Sequence, residues 1–140
     1  MKELNFDVGL STYRLNGAVD VAFNPTDSSF AQRLFELYDT LDKKQNFYRE
    51  RIEKIADKKQ IFTFAAEQDA EMRQMIDGLF GCPVCEKLFG NMNAYALANG
   101  LPAWCNLLYA IMDEMDSAFA REQKATNPRL EAYRQRWAKK

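Results

Sequence analysis

Cys82-Pro83-Val84-Cys85 is the one run in this 140-residue sequence whose residue types and spacing carry a sharp chemistry. Two cysteines flanking a Pro-containing dipeptide at a helix start resemble a dithiol redox pair, in which the helix N-terminus favours the thiolate. That chemistry ordinarily follows a β-strand inside a βαβ unit. Here a long helical pattern precedes the motif, and no later strands are visible. The same four residues also resemble one knuckle of a zinc ribbon. A structural zinc takes four ligands, and only Cys105 remains, so a carboxylate or a second chain would have to complete the set. The preferred reading is a helix start with two small buried side chains, because free cysteine packs as a small hydrophobe. No cofactor and no metal is expected, with Cys82 and Cys85 kept as weak candidates.

The sequence has no histidine. That removes the commonest general base and metal ligand, and with it every Ser-His and Cys-His arrangement. Asp113, Glu114 and Asp116 could suggest a carboxylate site. Their spacing puts Asp113 and Asp116 on the polar face of an apolar helix, so a solvated face is preferred. Trp104 and Tyr109 could stack a ligand, but they sit on the most apolar helix and read as core. The glycines at 78–81 have no Walker or Rossmann spacing. The expectation is a protein that is not an enzyme.

These residues must be positioned by mostly helical elements. Asn16-Gly17 marks a β-hairpin over about 11–23. A two-residue loop would put Val19 and Val21 on the face opposite Tyr13. A three-residue loop, Asn16 to Ala18, pairs Leu15 with Val19 and Tyr13 with Val21 and gives one apolar face. The second register is preferred, with Gly17 in the left-handed region. Such a hairpin is marginal alone, so its face must pack on something.

Asn24 reads as a helix cap and Pro25 as the first helical residue. Phe30, Leu34, Leu37, Leu41, Tyr48, Ile52, Ile55 and Phe62 then recur at helical spacing, with no Pro or Gly until Gly78. Asp39/Lys43, Glu50/Lys54 and Asp69/Arg73 support the helix as exposed i,i+4 pairs. Unbroken, this helix would run roughly 80 Å, too long for a compact domain of this size. It either breaks, with 56–60 the expected place, or projects as an arm for a partner. Further helices are expected at about 83–89, 92–98, 102–125 and 128–138, the last opened by Asn127-Pro128. The predicted fold is mainly α: one domain over 1–140, with an N-terminal β-hairpin packed on a helical bundle that contains one long helix, continuous or broken, at about 25–78.

Composition bounds the partners. No apolar run is long enough for a transmembrane helix, no signal peptide is visible, and three cysteines are not a disulfide framework. A cytoplasmic location is therefore expected. Net charge is −1, but residues 121–140 hold seven Lys/Arg against two Glu, a balance of +5, leaving −6 on the rest. A basic solvated final helix is preferred over a nucleic-acid surface, because the acidic body would repel phosphates.

Several stretches together resemble a known group. They are FNPTDSSFAQRLF at Phe23–Phe35, EMRQMIDGLFGCPVCEKLFG at Glu71–Gly90, MNAYALANGLPAWCNLLYAIMDEMD at Met92–Asp116 and REQKATNPRLEAYRQR at Arg121–Arg136. They resemble a family of small uncharacterised phage and prophage proteins of Gram-positive gut bacteria, which look like tail assembly chaperones of long-tailed phages. The resemblance implies a non-enzymatic protein that binds the tape measure protein, or another tail protein, in the cytoplasm of the bacterial host during phage assembly. A homo-oligomer is expected. Tyr13, Leu15, Val19 and Val21 of the hairpin, with Phe30, Leu34, Leu37, Leu41, Tyr48, Ile52 and Ile55 of the stripe, are the candidate protein-binding residues. Two alternatives stand beside this reading: a phage anti-defence inhibitor that binds a bacterial immune protein, and a thiol or metal function at Cys82 and Cys85.

Overall fold

The computed structural model describes residues 1–138. β1 (Ser11–Leu15) and β2 (Val19–Phe23) form an antiparallel hairpin in which Leu15 faces Val19 and Tyr13 faces Val21. This is the register that collects the apolar residues on one face. Asn16 and Gly17 both take positive φ, 51° and 67°, and the Ala18 N–H closes the loop on the Leu15 carbonyl at 2.9 Å. The apolar face packs on the chain itself. The Phe23 ring stacks on Tyr13 at 4.8 Å and on Phe30 at 4.4 Å between centroids.

α1 (Ser28–Lys54) begins three residues later than expected. Asn24 does not cap it. Its side-chain oxygen instead accepts from the N–H and hydroxyl of Thr26, holding a turn that contains Pro25. Asp27 takes the cap, accepting from the Ser29 N–H at 2.9 Å. The long helical segment does break, at Ile55–Asp57. Ile55 and Asp57 are both extended, and Asp57 caps α2 (Lys58–Phe80) by accepting from Lys59 N–H. α2 folds back along α1, with Phe64 against Phe47 and Tyr48, and with Lys44 paired to Glu71 at 2.8 Å. It runs through Gly78 and ends at Gly81, whose φ of 70° suits a residue without Cβ.

α3 (Cys85–Phe89) is a short helix starting two residues later than expected. The helix expected at 92–98 is absent. Asn93 turns the chain by accepting from Tyr95 N–H, and Asp69 takes the Ala94 N–H at 2.7 Å. The carbonyls that a helix would need are taken elsewhere: Met92 O accepts from Arg73, Ala94 O from Trp104 N–H and Ala96 O from Ala103 N–H. Two-residue strands follow, β3 (Leu97–Ala98) and β4 (Leu101–Pro102), joined by Asn99 and Gly100 at φ 55° and 80°. The expected helices at 102–125 and 128–138 are one, α4 (Ala103–Ala138), with Pro128 inside it. Pro128 removes one helical N–H and crowds the carbonyl of Lys124. The surrounding stretch is exposed, so water can satisfy the freed carbonyl.

The core joins hairpin, α1, α2, α3 and the first half of α4. Leu34, Leu41, Met72, Ile76, Val84, Cys85, Trp104 and Leu108 are its most deeply buried side chains. The protein is mainly α, with the small hairpin at its N-terminal side.

Candidate functional site

The thiol motif is built from the end of α2 and the start of α3. Gly81 ends α2, the chain turns through Cys82 and Pro83, and Cys85 opens α3. Asp77, on the last turn of α2, accepts from the N–H groups of Val84 and Cys85, both at 3.0 Å. The start of α3 is therefore already engaged by a carboxylate. Cys85 is fully buried, and its Sγ lies 3.7 Å from the Arg73 carbonyl as a weak donor. Burial, then the hydrogen bond and charge of Asp77, push the Cys85 thiol far above the usual range. A redox nucleophile requires the opposite shift. Among the described residues no group of three or more His, Cys, Asp or Glu is placed to hold a metal ion. Cys82 is half-buried, and Cys105 is buried on α4.

Asp69, Arg73 and Asp77 recur at i, i+4 and i+8 on α2. The Asp69–Arg73 pair is not on an exposed face as expected, because each side chain keeps under a fifth of its exposure. Arg73 donates to the carbonyls of Gly90 at 2.8 Å and Met92 at 2.6 Å, while Asp69 holds Ala94. Together with Asp77 they staple the irregular segment 82–96 to α2. Titratable side chains spaced like a catalytic set are thus committed to backbone groups.

A cleft of about 590 Å³ lies between α1 and the β3–β4 turn, lined by Tyr38, Tyr48, Ile52, Tyr95, Trp104 and Tyr109 among others. Trp104 Nε1 donates to Gln45 at 2.9 Å, and the hydroxyls of Tyr38 and Tyr109 share a hydrogen bond of 2.5 Å. Tyr109 is raised well above the ordinary phenol range by that bond, then by Cys105. Trp104 is core, as expected. Asp113 and Asp116 are exposed on α4, where a solvated face was expected.

The expected protein-binding residues fall largely inside the molecule. Val21, Phe30, Leu34 and Leu41 are buried in the core. Tyr13, Leu15, Val19, Leu37 and Tyr48 are half-buried against it, and Ile52 and Ile55 are also half-buried. Apart from Phe62, which keeps 69% of its exposure, the stripe is covered by this chain's own elements, because α2 folds back instead of α1 projecting.

The element that projects is the second half of α4. Residues 119–137 are exposed without interruption, about 28 Å of helix. On it Phe119, Leu130, Tyr133 and Trp137 keep 51%, 44%, 47% and 60% of their exposure. They continue the face that Trp104, Leu108, Ile111 and Met115 bury in the body. Residues 1–10 are exposed as well, with Leu4, Phe6, Val8 and Leu10 at alternate positions. That alternation is visible in the sequence alone. No protein-family model, no curated protein and no solved structure matches this chain.

Proposed function

We propose that this is a non-enzymatic protein-binding factor, acting as a phage tail assembly chaperone whose client is the tape measure protein. The observation that supports protein binding is the exposed, apolar-striped half of α4, a surface suited to helix-in-groove or helix–helix contact. The buried thiol and the carboxylates tied to backbone amides fit the same reading, since neither is poised for chemistry. The tail assignment rests on the resemblance of Glu71–Gly90 and its neighbouring stretches. A location in the host cytoplasm is part of the proposal. Among the described residues no helix is long and apolar enough to cross a membrane.

The test is affinity purification of the tagged full chain from an induced lysogen, with mass spectrometry of what comes with it. The expected result is recovery of the tape measure protein in stoichiometric amount. A host nuclease or immune protein in its place would overturn the tail reading.

A further inference from the structure

We propose that the projecting half of α4, residues 119–137, is the docking element for an acidic amphipathic helix of the client. This rests on the protein-binding reading above and adds the chemistry of the partner. Phe119, Leu130, Tyr133 and Trp137 are separated by 11, 3 and 4 residues. At 3.6 residues per turn they share one face. Their face is the outward continuation of the core-facing side of α4, so it has the spacing that packs against helices. Beyond Ala118 none of its described side chains is buried, and the body comes near only across an open cavity that Arg121, Glu122 and Arg129 line together with Asp7–Ser11, Tyr13 and Asn24–Thr26.

Charge decides the partner. Within 119–138 five bases stand against Glu122 and Glu131, a balance of +3, whereas 103–118 holds Asp113, Glu114 and Asp116 with no base. Arg129 and Arg136 lie along one flank of the stripe and Arg134 along the other, by the same helical geometry. The Arg129 guanidinium stands 5.8 Å from the Tyr133 ring centroid, against the stripe itself. Glu122 is the acid beside the stripe; Glu131 and Lys124 are on the far side. Arg121 is paired with Glu114 of the body at 3.3 Å. Charged residues flanking an apolar helical seam select partners of opposite sign. A second copy of α4 would bring three arginines from each helix to one interface. A lipid surface fits poorly, because Gln123 and Thr126 interrupt the apolar face between Phe119 and Leu130. An acidic helix satisfies both the stripe and its rims.

The experiment uses the full chain and two fluorescein-labelled helical peptides with the same Leu face, one flanked by Glu and one by Lys. Fluorescence anisotropy is expected to show the Glu peptide binding at least about tenfold tighter, with affinity falling as salt rises. The triple variant R129E/R134E/R136E should reverse that preference, and Leu130→Asp with Tyr133→Asp should abolish binding of both peptides. All these positions are exposed, so folding is kept, which circular dichroism checks. Equal binding of the two peptides would overturn the inference. So would anionic vesicles that displace the Glu peptide, or a dimer in sedimentation velocity that Leu130→Asp converts to monomer. If the triple variant still co-purifies with the wild-type client, the functional reading survives and this inference does not. If the client is never recovered while the peptide preference holds, the failure lies with the tail reading alone.

Discussion

α4 is one helix living in two environments. Over 103–118 its apolar face is the centre of the core, with Trp104 and Leu108 inaccessible to water. Over 119–137 the same face runs on through Phe119, Leu130, Tyr133 and Trp137 in solvent. The polar side changes with it, from three acids without a base to five bases against two acids. Amphipathic spacing alone therefore does not decide whether a helix is core or surface. What decides is whether another element of the chain arrives to cover it. α1 reaches the first half of α4, where Tyr38 meets Trp104 and Tyr109, and the α1–α2 hairpin closes at Ile55–Asp57. Binding surfaces and core are made from the same pattern here, and only the tertiary arrangement sorts them.

The same charge placed on each half of α4 should have very unequal consequences. Leu108→Asp buries an unpaired carboxylate among Trp104, Leu34 and their neighbours. Its expected cost is on the order of 4–5 kcal/mol, enough to consume most of a small domain's stability. Urea unfolding at neutral pH reads it. A loss below about 1 kcal/mol would mean that the first half of α4 is not the core it is taken to be.

Much of this arrangement was legible in the sequence where the cause is local. The register of the first hairpin followed from Asn16-Gly17 and the requirement that Tyr13, Leu15, Val19 and Val21 share a face. The second Asn-Gly, at 99–100, closes a hairpin just after the place where a helix over 92–98 was expected. Its strands are two residues long and carry no alternation, so nothing beyond the dipeptide signalled a hairpin. The expected helix at 92–98 lost to Asp69 and Arg73, some twenty residues away, and no local propensity reports such bonds. Pro128 does not end the helix, since an exposed helix can lose one hydrogen bond and continue. The stripe from Phe30 to Ile55 showed that one face must be covered, but not that the chain's own elements would cover it, and Phe62 stays exposed. The excess helix length of the 25–78 segment is resolved by the break at Ile55–Asp57, close to the expected place, and the helix that projects is α4.

Pro128→Ala restores a helical N–H and removes a clash, worth about 3 kcal/mol to the local helix. Because the projecting half packs on so little, the gain should stay local. Hydrogen exchange is expected to slow for the amides of 124–132 by on the order of a hundredfold, with the midpoint of global unfolding unchanged. If the global midpoint rises with it, the two halves unfold as one unit and the division drawn at Ala118 is wrong.

The body should also respond to alkali in a way the arm does not. Tyr95 is buried, stacks on Tyr48 at 4.2 Å, and its hydroxyl has no hydrogen-bond partner among the described residues. Burial first, then Glu71, Tyr48 and Asp69, push its pKa up to about 12, from about 10 for a free phenol. A raised folded pKa means that the neutral form stabilises the fold. That stability is complete below about pH 10 and is lost as pH climbs through about 10 towards 12. Tyr95→Phe removes both the titration and an unsatisfied hydroxyl. It should stabilise by about 1 kcal/mol at neutral pH and flatten the alkaline limb of the stability–pH curve. Destabilisation at neutral pH would reveal a partner for the hydroxyl.

The smallest expected effect is the counterpart of the largest. Leu130→Asp sits on the same helical face as Leu108→Asp, 22 residues along. Leu130 is 44% exposed, so the new carboxylate keeps its water and faces Arg129 and Arg134 as near neighbours in a basic stretch. The change in unfolding free energy should fall within about 0.5 kcal/mol. An unchanged urea midpoint beside lost partner binding would separate the two roles of one face. A loss approaching that of Leu108→Asp would show that the second half of α4 is covered after all, and the surface proposed for the client would have to be sought among Leu4, Phe6, Val8 and Leu10 instead.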